Sequence, residues 1–530
     1  MDDNHEVYLR EDVKIEPLVN NWPAYPHIIS PAPASMNIAN GQVKIMKSFL
    51  AAPVIHAAAV KNPAMRGGPF MEIAVNRASE VRSLLDRTLK EQAHMIEFAE
   101  GIKALDDLLM SEAKGYSLEP LYNKVPEALK GYVELVFDLN NNPSIRFIEG
   151  LLYKSRYYNK DSQGVALSII NSDQRPFMFC TPLLEDGEHL HLKLPFDDQA
   201  LDILSELRST PKPLGHVKEA LGIDRERHDT FSRFLTDKAP PQPSKKQSEA
   251  MRVRYFGHAC VLIESRGLTI LTDPSISYKY ETELGRYTYT DLPDAIDYVL
   301  ITHCHSDHTV IETLLQLRHK IKNIVVPRNG SGALEDPSLK LLLKALGFKS
   351  VIDLEEMETI ELEGGTITSL PFLGEHCDLR VRSKNAFHVR MEGKSFIFAA
   401  DSRNLEFKLY EHLHSLIGDV DAMFLGMECD GAPLSWIYGS LLTRPIDRRM
   451  DQSRRLSGSD YERAVDIVNR LNCKKVFVYA MGQEPWLSHI MALQYTNESN
   501  PIVESNKLIK DCQSRGIPAE RLFAAKDYLT

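Results

Sequence analysis

The stretch THCHSDHT, residues 302–309, places three histidines and one aspartate within the six positions from His303 to His308. It follows the apolar run DYVLI, 297–301, which reads as a strand. In a turn just past a strand end, His303 and His305 project from one side as alternate residues, while Asp307 and His308 serve a second position close by. Imidazole and carboxylate are donors for zinc, iron and manganese, and adjacent donor sets suit a pair of ions a few ångströms apart. The competing explanation is a polar loop that is histidine-rich by chance. With 18 histidines in 530 positions, three of them together after an apolar strand weigh against chance. Cys304 lies between two of these donors and should point away from them.

The chain is too long for one ordinary core, so two domains are expected. Hydrophobic content of 43%, charged content of 25% and aromatic content of 8% describe a soluble globular protein. A net charge of −11 argues against binding bare nucleic acid or an anionic membrane, while local basic patches remain able to dock an acidic protein. The acidic start MDDNHEVYLREDVKIEP has no apolar signal region, and no run approaches the length of a membrane span. Seven scattered cysteines without a CxxC pair read as reduced thiols. A cytoplasmic protein is expected.

The tract DKAPPQPSKKQSEAM, 237–251, has the composition of an exposed linker and divides the chain into an N-terminal part, 1–245, and a C-terminal part, 251–530. After it, VRYFGHACVLIESRGLTILTDPSI alternates and turns like strands joined by short hairpins. Further strands are predicted at 297–302, 323–326, 366–372, 395–400, 421–425 and 475–480, with helices at 334–346 and 459–471 between them. That alternation predicts an α/β layered domain. In the N-terminal part, 11–75 is rich in proline and is expected to wrap over something rather than form a core alone. Residues 78–113 have helical spacing with Val81, Leu84, Leu85 and Leu89 on one face, and GVALSII and HLHLKL are β-rich. This makes it a mixed α/β unit.

FGHACVLIE, LTDP and ITHCHSDH after a strand resemble the metallo-β-lactamase fold superfamily over about residues 251–500. The resemblance implies an αββα sandwich with a dinuclear site at one edge of its two sheets. It also implies further metal ligands on loops after later strands: Glu375 after TITSLPFLG, Asp401 at the end of KSFIFAAD, and His489 after KKVFVYAMGQEPWLS. Zinc hydrolases of the superfamily usually carry a histidine just after a glycine in the first of these loops. Here Gly374 is followed by Glu375, with His376 next and open as the alternative ligand. A hard anionic oxygen in place of a nitrogen favours iron without excluding zinc.

Over nearly its full length the sequence resembles the diiron β-hydroxylases of nonribosomal peptide synthesis in antibiotic pathways. The matching stretches are VKIEPLV, RGGPF, THCHSDH, FLGEHCD, GMECDGAPLSWIYG and YAMGQEPWLSH. This resemblance implies a monooxygenase that uses O₂ to hydroxylate the β-carbon of an amino acid held as a thioester on a peptidyl carrier domain. It implies an N-terminal domain for dimerisation and carrier recognition, hence a homodimer. Carried onto this chain, one iron takes His303, His305 and Glu375, the other takes Asp307, His308 and His489, and Asp401 bridges them. No GxGxxG follows a strand, so an external electron donor is expected rather than a built-in nicotinamide or flavin. The alternative reading is a dinuclear zinc hydrolase of the lactonase or phosphodiesterase type.

Other residues bear on the same chemistry. Glu428, in GMECDG after a strand, is a candidate proton-transfer group or outer hydrogen-bond partner, against a structural loop acid. His258 and Asp273 recur in the superfamily at positions behind the site, where a satisfied buried histidine and a turn-capping aspartate are the plainer roles. His189 and His191 share a strand face, and without a nearby carboxylate they read as surface residues rather than a second metal site. Arg66, in MRGGPF, is either a phosphate contact for a carrier's prosthetic arm or an arginine on an exposed turn.

Overall fold

The computed structural model describes residues 3–241 and 251–529, so most of the expected linker tract lies outside the described residues. After it, the chain builds two seven-stranded sheets. The first runs in the order Val351–Leu354, Ile321–Pro327, Ile296–Leu300, Leu268–Thr272, Cys260–Ser265, Arg252–Gly257 and Lys526–Leu529. The second runs Thr359–Leu362, Gly365–Leu370, Ala386–Met391, Lys394–Phe398, Ala422–Gly426, Val476–Tyr479 and Ala519–Arg521. Each begins as antiparallel hairpins and continues as parallel strands joined through helices. These strands match the runs predicted from apolar patterning to within a few residues.

The sheets pack face to face because their strands are apolar on the inner side. Val253, Tyr255, Val261 and Ile263 of the first meet Phe387, Val389, Phe398 and Phe424 of the second. Phe424 is stacked between Phe398 and Phe477, at ring distances of 4.9 and 4.8 Å. Helices Lys408–Ile417, Tyr461–Arg470 and Asn500–Ser514 cover the outer face of the second sheet through Leu413, Ile467 and Leu508. The result is the expected αββα sandwich.

The N-terminal part supplies the four-stranded sheet Trp22–Pro23, Val13–Val19, Gln163–Ile169, Leu190–Leu192 and a run of short helices. The prolines of its first segment do not leave it irregular. Pro26, Pro31 and Pro53 sit in the first turn of helices, where a missing N–H costs nothing. The predicted helix over 78–113 is broken into Ala78–Glu91 and Ala93–Glu112 at Gln92, whose φ of −103° and ψ of 18° leave the helical region. Val81, Leu84 and Leu85 are buried as expected, but Thr88 takes the next inward position and bonds Asn20, leaving Leu89 exposed.

The apolar clusters cross the boundary in sequence. Val7, Ile15, Val165 and Leu167 share a cluster with Leu262, Val299 and Leu314 of the sandwich. A buried ionic chain crosses it too. Arg175 reaches Glu16 at 2.7 Å and Glu312 at 2.6 Å, Lys14 reaches Glu16 at 2.5 Å, and the Tyr278 hydroxyl donates to Glu312 at 2.8 Å. Removing one partner of such a network strands buried charge. Arg175→Met is therefore expected to lower stability by about 3–5 kcal/mol. Urea unfolding followed by circular dichroism measures this, and an unmoved midpoint would show that the network carries no stability.

Candidate metal centre

The converging carboxylates and imidazoles of the site stand beyond the carboxyl ends of strands, where open α/β sheets place their ligands. Asp273 follows Leu268–Thr272, the HCHSDH turn follows Ile296–Leu300, Glu375 follows Gly365–Leu370, Asp401 follows Lys394–Phe398, and Glu428 follows Ala422–Gly426. The sheets are tied at this edge by a bridge between His303 and Lys384 and by Asn385 N–H donating to the Thr302 carbonyl at 2.7 Å. His258, Asp273, Glu375 and Ala400 all adopt positive φ, at 52°, 32°, 64° and 46°. Unfavourable backbone of this kind collects where the surrounding structure fixes a functional geometry.

Hydrogen bonds from behind orient the side chains. Asp273 accepts the Thr302 N–H at 2.7 Å, the Thr302 hydroxyl at 2.6 Å, and His308 Nδ1–H at 2.8 Å. With its proton committed to Asp273, the Thr302 oxygen accepts His303 Nδ1–H at 3.0 Å. His303 and His308 thus both turn Nε2 forward. His258 Nδ1 accepts the Gly482 N–H at 3.2 Å, so its Nε2–H donates to Asp307 at 3.1 Å. His305 places Nε2 2.9 Å from the Tyr438 hydroxyl and turns Nδ1 inward.

The forward atoms converge. His305 Nδ1 lies 3.2 Å from His303 Nε2 and 2.9 Å from Glu375 Oε1. Asp401 Oδ2 lies 3.0 Å from His308 Nε2 and 3.8 Å from His303 Nε2, and Asp307 Oδ2 lies 3.5 Å from His308 Nε2. Asp401 is therefore the carboxylate common to both halves of the set. Its Oδ1 is buried without a hydrogen-bond partner, and the Oε2 of Glu375 meets only His376 Nδ1, at 2.8 Å. A proton satisfies one pair among these groups, whereas divalent cations satisfy all of them together. The donor set, nitrogen and oxygen with no sulfur, fits a pair of iron ions.

The electrostatics agree with that demand. Burial pushes Glu375 up, but His305 and His376 outweigh it and hold the carboxyl well below its usual range. Burial likewise pushes His308 down, while Asp401, Asp307 and Asp273 outweigh it and raise the ring well above its ordinary value. Burial, reinforced by Asp401, Asp307 and Glu375, drives Glu428 far up. Opposed shifts of this size within one buried cluster mark a functional site.

Two families match the chain in succession: a diiron non-heme β-hydroxylase N-terminal domain over residues 8–240 and a β-lactamase superfamily domain over residues 252–428. The 4-amino-L-phenylalanyl-[CmlP-peptidyl-carrier-protein] 3-hydroxylase of Streptomyces venezuelae is 37% identical over 523 residues, which is 97% of this chain and 98% of that one. The chain belongs to the diiron β-hydroxylases. The crystal structure of CmlA, a diiron β-hydroxylase from Streptomyces venezuelae, superimposes with a TM-score of 0.93 at 35% identity over 99% of this chain and 100% of that one. A metal-dependent hydrolase of Methanopyrus kandleri is 28% identical over only 123 residues, 23% of this chain.

In this β-hydroxylase the fold gathers His303, His305, Asp307, His308, Glu375 and Asp401, but it does not bring His489 to them. Among the described residues, His489 enters no group of converging donors. It sits on the turn Ser488–Met491, ten residues past the end of Val476–Tyr479, and lines a separate small cavity with Asp173, Arg175 and Glu312. The intervening loop spends its approach on His258, through the Gly482 N–H, and then passes the site by. The set is thus three imidazoles and three carboxylates. His376 stacks on His305 at 4.4 Å and keeps its Nδ1 within 2.8 Å of Glu375, yet Glu375 rather than His376 borders the open cavity above.

That cavity holds about 420 Å³. His305, Asp307, Glu375 and Asp401 form its buried floor; Glu428, Trp436, Ile437, Leu456 and Phe70 form its walls; Met65, Arg66 and Asp430 stand at its exposed rim. Arg66, from the N-terminal part, therefore belongs to the cavity. His189 instead pairs with Asp186 at 2.7 Å, and His189 and His191 join no metal-type cluster among the described residues. Tyr438, Thr302 and Gly426 were missed in the sequence because nothing in their type signals chemistry. A Cβ on Gly426 would stand 2.7 Å from Asp401 Oδ1, so glycine alone leaves that carboxylate its place.

Asp273→Asn removes one acceptor behind His303 and His308 and is expected to weaken metal binding about 10–100-fold. His489→Gln is expected to retain the full metal complement. Metal per chain after dialysis against a chelator, with far-UV circular dichroism as the control for folding, checks both. Loss of metal from the His489 variant would restore it as a ligand.

Proposed function

We propose that this β-hydroxylase acts on an amino acid held as a thioester on a nonribosomal peptide synthetase carrier domain and inserts one oxygen atom of O₂ at the β-carbon. The balance is one C–H bond, one O₂, two electrons and two protons giving C–OH and water. The electrons come from an external donor, and the working form is a cytoplasmic homodimer. The observation that carries the reading is the buried set of three imidazoles and three carboxylates at the floor of an open cavity, in a chain that aligns end to end with a carrier-protein hydroxylase.

His303, His305 and Glu375 would hold one iron, Asp307 and His308 the other, with Asp401 placed between the two sets of donors. When bound, the iron pair supplies the redox capacity for activating O₂. The chain's own residues do the rest. Asp273, His258 and Tyr438 hold the donors in one orientation. Trp436, Ile437, Leu456 and Phe70 present an apolar wall that shields the reacting carbon from bulk water. Glu428 faces the same cavity beside the carboxylate floor.

Glu375 sets this chemistry apart from hydrolysis, because an anionic oxygen there stabilises a more highly charged metal pair than a neutral imidazole does. Reduced enzyme incubated under O₂ with a panel of aminoacyl-loaded carriers is expected to add one oxygen to at least one of them, read by mass spectrometry, with about two irons per chain. Two zinc ions and thioester hydrolysis without O₂ would replace this reading with the hydrolase one. Glu375→His is expected to cut hydroxylation at least about tenfold while the circular dichroism spectrum is unchanged. Equal turnover in that variant would show that the carboxylate does not tune the metals.

A further inference from the structure

Residues 17–71 contain no aspartate or glutamate, in a chain whose net charge is −11. The same stretch carries Lys44, Lys47, Lys61 and Arg66, all exposed. Its helix Pro53–Val60, of sequence PVIHAAAV, buries only His56 and Ala59. Val54 and Ile55 are 69% and 63% exposed, and Ala58 on the same outer side is exposed as well. The helix packs beside Pro63–Met65 and Val75–Arg77, whose Met65 and Val75 are also exposed. An exposed apolar helix face in a stretch whose charged side chains are all basic marks an interaction surface rather than ordinary solvated helix.

Its position relates it to the metal centre. The helix runs directly into Ala64–Gly68, which forms the rim of the cavity above the metal ligands. That rim is pinned to the catalytic domain. Trp436 Nε1–H donates to the Gly67 carbonyl at 3.0 Å, and a Cβ on Gly67, at φ +72°, would stand 2.9 Å from Ala492 Cβ. A substrate delivered on a tether has its reactive end at the cavity floor and its carrier at the rim. The surface beside the rim exposes Val54 and Ile55, with Lys61 and Arg66 in the chain that leads from them to the cavity.

We propose that the exposed face of Pro53–Val60, with Lys47, Lys61 and Arg66 around it, is the docking site for an acidic face of the substrate-bearing carrier domain. The inference rests on the carrier-bound reading above and assigns the surface that serves it. The basic edge steers the acidic partner, and Val54 and Ile55 supply the desolvated centre of contact. Arg66, at the rim itself, stands where the phosphate of a prosthetic arm enters.

The test uses iron-loaded enzyme carrying Ile55→Asp, Lys61→Glu or both, and a fluorescently labelled carrier bearing a non-hydrolysable aminoacyl arm. Anisotropy is expected to show Kd raised at least about tenfold in the double variant, and wild-type binding is expected to weaken as salt rises. Turnover of an aminoacyl pantetheine, which has no carrier body, is expected to match wild type. Wild-type Kd for the carrier in the double variant overturns the proposal. So does a loss of self-association in sedimentation velocity, since the face would then join two copies of this chain. A wild type that hydroxylates no loaded carrier fails the functional reading itself, and the docking assignment goes with it.

Discussion

The buried carboxylate of Asp273 is the contact on which the metal centre depends. It accepts two hydrogen bonds from Thr302 and one from His308, and through Thr302 it also sets His303. Such a group is expensive to bury unless each lone pair is met, and here three donors from the next strand's end meet it. The same bonds that satisfy Asp273 decide which nitrogen of two histidines faces forward. Strand pairing and ligand orientation are thus one construction, because Asp273 and Thr302 end neighbouring parallel strands. A shift in that register would misplace both rings at once.

Much of this was legible in the sequence because it is periodic or dense. The strands announce themselves as short apolar runs, and HCHSDH packs its donors so tightly that a single turn presents them. Glu375 and Asp401 were legible for a related reason, since each follows a strand end closely. His489 was not. It lies ten positions past its strand, and a loop of that length has room to pass the site and end in another cavity, beside Arg175. Order along the chain predicts convergence only where the intervening loop is short. Tyr438 and Gly426 were invisible for the opposite reason: a hydroxyl aimed at His305 and a missing Cβ beside Asp401 are properties of three-dimensional placement alone.

The N-terminal part illustrates how composition can mislead about order while informing about role. Its prolines read as irregular chain, yet they open helices, and Ile28 of the first joins Trp22, Met46 and Phe49 in a core of their own. Another of its clusters joins Phe98, Ile102 and Leu105 to Cys377, Leu434 and Tyr438 of the sandwich. The first of those sandwich residues lies two positions past Glu375, and the last is the hydrogen-bond partner of His305. The N-terminal helices therefore pack against the loops that carry the site. A bare sandwich would present those loops to water.

This dependence bears on why one fold serves two chemistries. The likeness to a metal-dependent hydrolase covers 23% of the chain. What the remaining length adds is a cavity closed on one side by Met65–Gly68 and Phe70, with Met65 and Arg66 of the N-terminal part at its rim beside Asp430. Water is a reactant for a hydrolase, and an open metal edge costs it nothing. An oxygenase gains from excluding water and stray reductants until its substrate is in place, so a long tethered substrate and a deep partly apolar cavity belong together. The carboxylate of Glu375 on the cavity floor and the apolar wall above it face the same space.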